Sequence, residues 1–482
     1  MERKLAWDKY GEKELKELTL LADGYKKFLD AGKTERECVD EAVRQAKAKG
    51  YTDLNEAIAN GKTLKAGDKV YAICMNKAVA LFNIGTKPLS EGMTLLGAHV
   101  DSPRLDLKQN PLYEDNGFAL LDTHYYGGVK KYQWVTLPLA IHGVVSKKDG
   151  TNVNVVIGED DNDPVFCITD LLIHLSARQL DKKAATVIEG EALDVLFASM
   201  PISEQTDEEI DNDANLTDEE KEAKKKEKVK DKVAAHAMKL LSDKYGIEEE
   251  DFLSAELEIV PAGKARDCGI DSSMVIAYGH DDRVCAYTSL VAMLEVDKVE
   301  KTTCCLLVDK EEIGSVGATG MQSRFFENTV AELIDRVEGY NELTYRRCLA
   351  NSKMLSSDVS AAYDPNFPEA FEKKNTAFFG KGMVFNKYTG ARGKSGSNDA
   401  NSEYFAEIRR MMDDNDVSFQ TAELGKVDFG GGGTIAYIMA LYGMNVIDAG
   451  IAVLNMHAPW EIISKADLYE TTKGYVAFLR EA

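Results

Sequence analysis

From about residue 259 to the C-terminus, short β-branched or apolar runs alternate with helical segments. "TTCCLLVDK" and "NVIDAGIAVLNM" are such runs, and "DDRVCAYTSLVAMLEV" is one of the helical stretches between them. A strand that is apolar on both faces needs cover on both faces, and intervening helices supply it. The alternation therefore constrains this part of the chain to an α/β domain with a buried sheet. The first hundred residues fit the same domain, with helices followed by strand candidates "KVYAICMNKAVALFNIG" and "MTLLGAHVD". The stretch between has another texture. "FALLDTHYYGG", "WVTLPLAIHGVVSK" and "TNVNVVIG" alternate in polarity and read as antiparallel strands. The simplest architecture is a discontinuous α/β domain, 1–105 with 259–482, interrupted by a mostly β insertion over 106–258. The insertion carries a charged helical segment near 203–245, for which Thr217 and Glu220 offer a capping-box start.

At 482 residues the chain is too long for one simple core. Its net charge of −23 argues against nucleic acid or an anionic membrane as partner. No run approaches the ~20 apolar residues of a membrane span. The N-terminal stretch carries charges throughout, at helical spacing, and reads as an amphipathic helix rather than a signal peptide. Eight cysteines occur without a C-x-x-C pair, so buried thiols in a reducing cytoplasm are expected. Cys304 and Cys305 are adjacent on a predicted strand and should face opposite ways.

Five stretches place chemistry where apolar runs end. In "LLGAHVDSPRLD", His99 and Asp101 project from the same face of an extended chain, so the carboxylate can hold the imidazole in the tautomer a cation needs. A surface histidine would look the same. In "AYGHDDRVCAY", Asp281 and Asp282 precede a helix, as ligands or as an N-terminal cap. In "LVDKEEIGSVGATG", Glu311 and Glu312 stand side by side. A cation would remove their mutual repulsion, making Glu312 a ligand and leaving Glu311 to act as a base on a water. Asp358 in "KMLSSDVSAAYDPNF" and His457 in "GIAVLNMHAPWE" complete the set. Mixed nitrogen and oxygen donors suit zinc, with manganese or cobalt as substitutes.

In this order, "GAHVDSPRLD", "DKEEIGSVGATG", "SSDVSAAYDPNF" and "NMHAPWE" resemble the aspartyl aminopeptidase and aminopeptidase I family of dinuclear zinc exopeptidases. The resemblance covers most of the chain. It implies a zinc-exopeptidase-like mixed sheet flanked by helices, with the insertion serving dimerisation. It also implies two zinc ions per subunit, with Asp281 bridging both and the Asp281–Asp282 peptide cis. His99 and Asp358 would complete one ion's shell, and Glu312 and His457 the other's. Glu311 would be the general base and Asp101 the group orienting His99. The reaction implied is removal of one N-terminal residue at a time from peptides.

On the substrate side, "DLLIHLSARQL" is similar to the family's helix whose histidine enters a neighbouring subunit's site, which would be His174. Family members build dimers and then closed tetrahedral dodecamers. Acidic-specific members carry a lysine in the stretch aligned with "GKGMVFNKYTG", where Asn386 stands here beside Lys387, with Lys381 upstream. A neutral or broad preference is thus as compatible as an acidic one. Lys387 remains the candidate substrate contact. A non-catalytic scaffold, or a di-metal deacylase or carboxypeptidase, stays open as an alternative. Gly393-Lys394-Ser395 ends like a phosphate-binding loop, but Tyr388 occupies the place of the glycine it requires. The glycine run in "DFGGGGTIAYIMA" reads as backbone close to substrate, or as tight packing.

Overall fold

Strand residues alternate between two cores. Leu96, Cys305, Leu307, Leu355 and Ile447 pack into one hydrophobic cluster, and Leu95, Cys304, Leu306, Met354 and Val446 into another. In the computed structural model, which describes residues 4–203, 215–217, 219, 221–222 and 230–482, these residues belong to a sheet covered on both faces. Cys304 and Cys305 thus face opposite cores as buried free thiols. One face is covered by the helices His280–Glu295 and Lys465–Glu481, which supply Val284, Leu290, Tyr475 and Phe478. Both helices are buried around most of their circumference, which explains why their sequences lack a polar stripe. The other face is covered by Phe325–Glu338 through Phe326, Val330 and Leu333.

The chain divides into two compact units, Met1–Pro103 with Lys264–Ala482, and Arg104–Gly263. In the first, nine strands lie in the spatial order Thr52–Asp53, Lys69–Cys74, Ala78–Asn83, Thr303–Val308, Thr94–His99, Lys353–Ser356, Asn445–Gly450, Met383–Asn386, Phe419–Thr421. The four central strands, from Thr303–Val308 to Asn445–Gly450, run parallel. Their register pairs Val308 with His99 and Ser356 with both Gly97 and Asp448. The chain therefore leaves these strands at one end of the sheet, where loops can aim several side chains at one point. A five-stranded sheet adds Met274–Ala277, Ala452–Leu454 and Glu461–Ser464 among its members.

Near the N-terminus, the helix Glu12–Ala31 buries Leu18, Ala22, Tyr25, Phe28 and Leu29, the single face its spacing predicts. The next helix, Glu35–Ala48, opens on a capping box: Thr34 Oγ1 accepts from Glu37 N, and Glu37 Oε2 accepts from Thr34 N.

The second unit is a six-stranded, wholly antiparallel sheet in the order Asn152–Ile157, Leu139–Ser146, Ala255–Pro261, Arg104–Asp115, Phe118–Tyr126, Val195–Ala198. Of the charged segment, the helix Lys232–Tyr245 is described, whereas Glu220, and with it the expected capping box, lies outside the described residues. The expected helix around His174 is instead a 3-10 turn, Ile173–Leu175, followed by one α-turn, Ala177–Leu180. Leu172, Ile173 and Leu175 are more than half exposed, so no buried stripe exists to extend a helix there.

Candidate metal centre

His99 ends its strand almost wholly buried. Its Nδ1 lies 3.0 Å from the Asp101 carbonyl and 3.3 Å from Asp101 Oδ1. Its Nε2 is 3.2 Å from Asp281 Oδ1. The other oxygen of Asp281 is 3.2 Å from His457 Nε2. One carboxylate thus spans two imidazoles that are 358 positions apart in sequence. Glu312 Oε2 stands 3.6 Å from His457 Nε2, and Glu311 Oε2 3.9 Å from His99 Nε2. Donor atoms of His99, Asp281 and Glu312 lie within 4.8 Å of one another, as do those of His99, Asp282 and Asp358. All five expected metal-binding residues and both expected catalytic residues therefore converge. Asp282 joins them, its Oδ2 accepting from His99 N at 3.3 Å.

Local backbone explains the convergence. Glu311–Ile313 form a single 3-10 turn flanked by Lys310 and Gly314, both at positive φ. Asp101 fixes this turn, because Oδ1 accepts from Glu311 N and Oδ2 from Glu312 N, each at 3.2 Å. It thus ties the glutamate pair to His99, a role beyond the imidazole orientation read from sequence. Asp358 sits against Gly450, where a Cβ would come within 1.9 Å of the Asp358 carbonyl, so only glycine lets the two segments meet. Asp281 and Asp282 are joined by a cis peptide bond.

Glu461 was not singled out by the sequence, although the "NMHAPWE" stretch ends on it. Its Oε2 accepts from Asp281 N at 2.9 Å and its Oε1 from His457 N at 2.6 Å, so one buried carboxylate positions two of the clustered residues. The only hint in sequence is a glutamate four residues after the histidine, and its partner Asp281 is 180 residues away.

The electrostatics match a centre built for positive charge. Burial pushes Glu311 up to about 7, and the Asp281 and Asp101 charges add to it against the pull of His99. Burial and then Asp281 raise Glu312 well above the usual carboxylate range; burial and then Asp282 do the same to Asp358. Burial also raises Glu461, to about 8. Burial alone would lower His99, yet the Asp101 and Asp281 carboxylates hold it well above its ordinary value. Asp281 moves down despite burial, because His457 and His99 hydrogen-bond it. So many acids crowded in low dielectric cannot all be charged unless cations join them. The buried Glu312 Oε1 and Asp282 Oδ1 have no hydrogen-bond partner among the described residues, as oxygens reserved for a metal would. Two imidazoles and several carboxylates form a donor set suited to zinc.

Neither expected substrate contact is among the clustered donors. His174 belongs to the second unit, on its exposed turn. Lys387 follows the strand Met383–Asn386, and its ammonium pairs with Asp399 Oδ1 at 2.7 Å, a carboxylate shared with Lys394. Asn386 is buried, its Nδ2 3.4 Å from Ser360 Oγ.

Among known proteins, the family profile described as aminopeptidase I zinc metalloprotease (M18) matches residues 28–479. A probable M18 family aminopeptidase 1 from Clostridium acetobutylicum is 61% identical, covering 99% of this chain and 98% of its own. The crystal structure of aminopeptidase I from that organism superposes with a TM-score of 0.89 at 59% identity, and that of an M18 aminopeptidase from Thermotoga maritima with 0.90 at 40%, each covering 100% of both chains. The S. cerevisiae mApe1 dodecamer shares the fold at 21% identity, covering 95% of both chains with a TM-score of 0.73. The chain belongs to the M18 family of aminopeptidase I zinc metalloproteases and is a metal-dependent aminopeptidase.

Proposed function

We propose that this aminopeptidase holds two zinc ions per subunit, replaceable by manganese or cobalt, and releases N-terminal residues from peptides with Glu311 as the proton carrier. The observation that carries the reading is the Asp281 carboxylate, with one oxygen 3.2 Å from His99 and the other 3.2 Å from His457. Asp281 would be shared by both ions, His99 and Asp358 would hold one, and Glu312 and His457 the other. Bound there, the ions would act as Lewis acids, lowering the pKa of a water and polarising the scissile carbonyl.

The chain's own residues do the rest. Glu311, within 3.9 Å of His99 but on the turn that Asp101 pins, stays aimed at the cluster without an ion pair of its own to a lysine or arginine among the described residues. It takes the proton of the attacking water and returns it to the departing amine, so one carboxylate serves both halves of the reaction. Asp101 keeps the imidazole of His99 and the turn in fixed relation. Glu461 does the same for Asp281 and His457.

On the substrate side, Lys387 would exchange Asp399 for a substrate group, and His174 would reach a neighbouring subunit's site. The S. cerevisiae relative is a dodecamer, and for this chain a closed tetrahedral dodecamer built from dimers is proposed. Eight free cysteines favour a cytoplasmic location, and no described helix is long and apolar enough to cross a membrane. The deciding experiment measures metal content by mass spectrometry alongside turnover of aminoacyl substrates, for the native chain and Glu311→Gln. Two ions per subunit in both, with turnover lost only in the variant, is the expected result. One ion per subunit, or retained turnover in the variant, would end this assignment.

A further inference from the structure

A cavity of about 690 Å³ opens at the far edge of the nine-stranded sheet, beside the last strand, Phe419–Thr421. Four cations line it: Lys373, Lys374, Lys381 and Arg409. No carboxylate lines it among the described residues, in a chain with 81 acidic and 58 basic residues. None of the four cations forms an ion pair among the described residues. Solvated surface lysines would account for that much, and three further features do not fit so plain a reading.

Thr376 lines the same cavity at only 4% exposure, and its Oγ1 has no hydrogen-bond partner among the described residues. A buried hydroxyl without a partner is destabilising unless something supplies one. The wall is also pre-built. Gln420 turns its amide onto the main chain of Phe378, accepting from its N–H at 2.9 Å and donating to its carbonyl at 2.8 Å. Phe378 carries the Lys381 ammonium 4.9 Å above its ring, so cation and ring are fixed together. Finally, Phe405 and Arg409 are one turn apart on the helix Ser402–Asp414, which puts an aromatic face and a guanidinium on the same side. The nearest acid in sequence, Glu372, is turned to Lys374 N and Asn375 Nδ2 and does not line the cavity.

We propose that this cavity binds a small polyanion of the nucleoside polyphosphate class. The phosphates would meet Lys373, Lys374, Lys381 and Arg409 and accept from Thr376, while the base lies against Phe378 and Phe405. Arginine suits the phosphate through its fork of donors, and lysine acts as a point charge. An apolar floor beside the cations selects a ligand with a ring over inorganic phosphate alone. The proposal does not depend on how the metal centre works, because none of these residues takes part in that centre.

The test is calorimetric titration of the zinc-loaded full-length protein with ATP, inorganic tripolyphosphate and adenosine. ATP is expected to bind, tripolyphosphate to bind more weakly and compete with it, and adenosine not to bind. Lys381→Gln and Arg409→Gln should each weaken ATP about tenfold, and Thr376→Val several-fold, with peptide turnover in the absence of ATP unchanged. Circular dichroism and metal content establish that the variants are folded and loaded. ATP binding that survives the Lys381→Gln, Arg409→Gln double variant would show that ATP is captured at the metals, and would overturn the proposal. So would adenosine binding as tightly as ATP, or no heat from ATP at millimolar concentration.

Discussion

At the centre of the nine-stranded sheet, the exits of Thr94–His99 and Thr303–Val308 gather carboxylates and imidazoles that are buried and held by one another. At its edge, beside Phe419–Thr421, four cations share an open cavity with no acid among them. Both are concentrations of one charge, yet they differ in rigidity. In the centre, Asp101 and Glu461 spend all four oxygens on backbone N–H groups of the clustered residues, so the geometry exists before any ion arrives. At the edge the wall is held by Gln420, and the ammoniums of Lys373 and Lys381 rest over the Tyr363 and Phe378 rings rather than on carboxylates. A pre-built buried site can demand a particular coordination. An open one can ask only for charge and a ring.

The hardest way to break the centre is Asp281→Asn. It removes the one group that touches both histidines, and breaking buried pairs of this kind costs roughly 3–5 kcal/mol. We expect loss of metal measured by mass spectrometry and a fall in kcat/KM of about 10³-fold or more. Glu311→Gln should lower kcat by about 10²–10⁴-fold while metal content stays that of the native chain. Glu461→Ala is milder, because it touches the centre only through backbone groups. Metal affinity should weaken by about 10–100-fold in a competition titration with a chelator, and excess zinc should restore most of the turnover. The smallest effect sharpens the contrast itself. Raising the salt from 0.1 to 1 M shortens the screening length from about 10 to about 3 Å. Polyanion binding at the edge should then weaken several-fold by calorimetry while metal content at the centre holds.

Strand exits were legible because the sheet is parallel at its centre: each apolar run stops where its strand stops, and the next polar residue marks the same end of the sheet. His99, Glu312 and Asp358 could be found that way, whereas Asp281 and His457 follow strands of the five-stranded sheet, Met274–Ala277 and Ala452–Leu454. The adjacent cysteines could be assigned to opposite faces from period-two geometry alone. Glu461 and the second role of Asp101 could not, because each acts on backbone N–H groups, and the amide of Asp281 looks like every other amide in a sequence. The helix around His174 was expected from similarity to the family's helix, whereas this chain forms a 3-10 turn there with Leu172 and Leu175 more than half exposed. Lys381 was noticed only beside Lys387, yet it lines a cavity to which Lys387 does not contribute.

The order of residues along the chain was enough to determine most element types, the α/β character, the antiparallel insertion and the candidate donors, because hydrophobic period and side-chain chemistry are local properties. Only the tertiary structure decided which carboxylate spans both imidazoles, which acids hold the backbone and where the unpaired cations gather. Those depend on distances between residues hundreds of positions apart, and such distances exist only once the two cores have closed around the sheet.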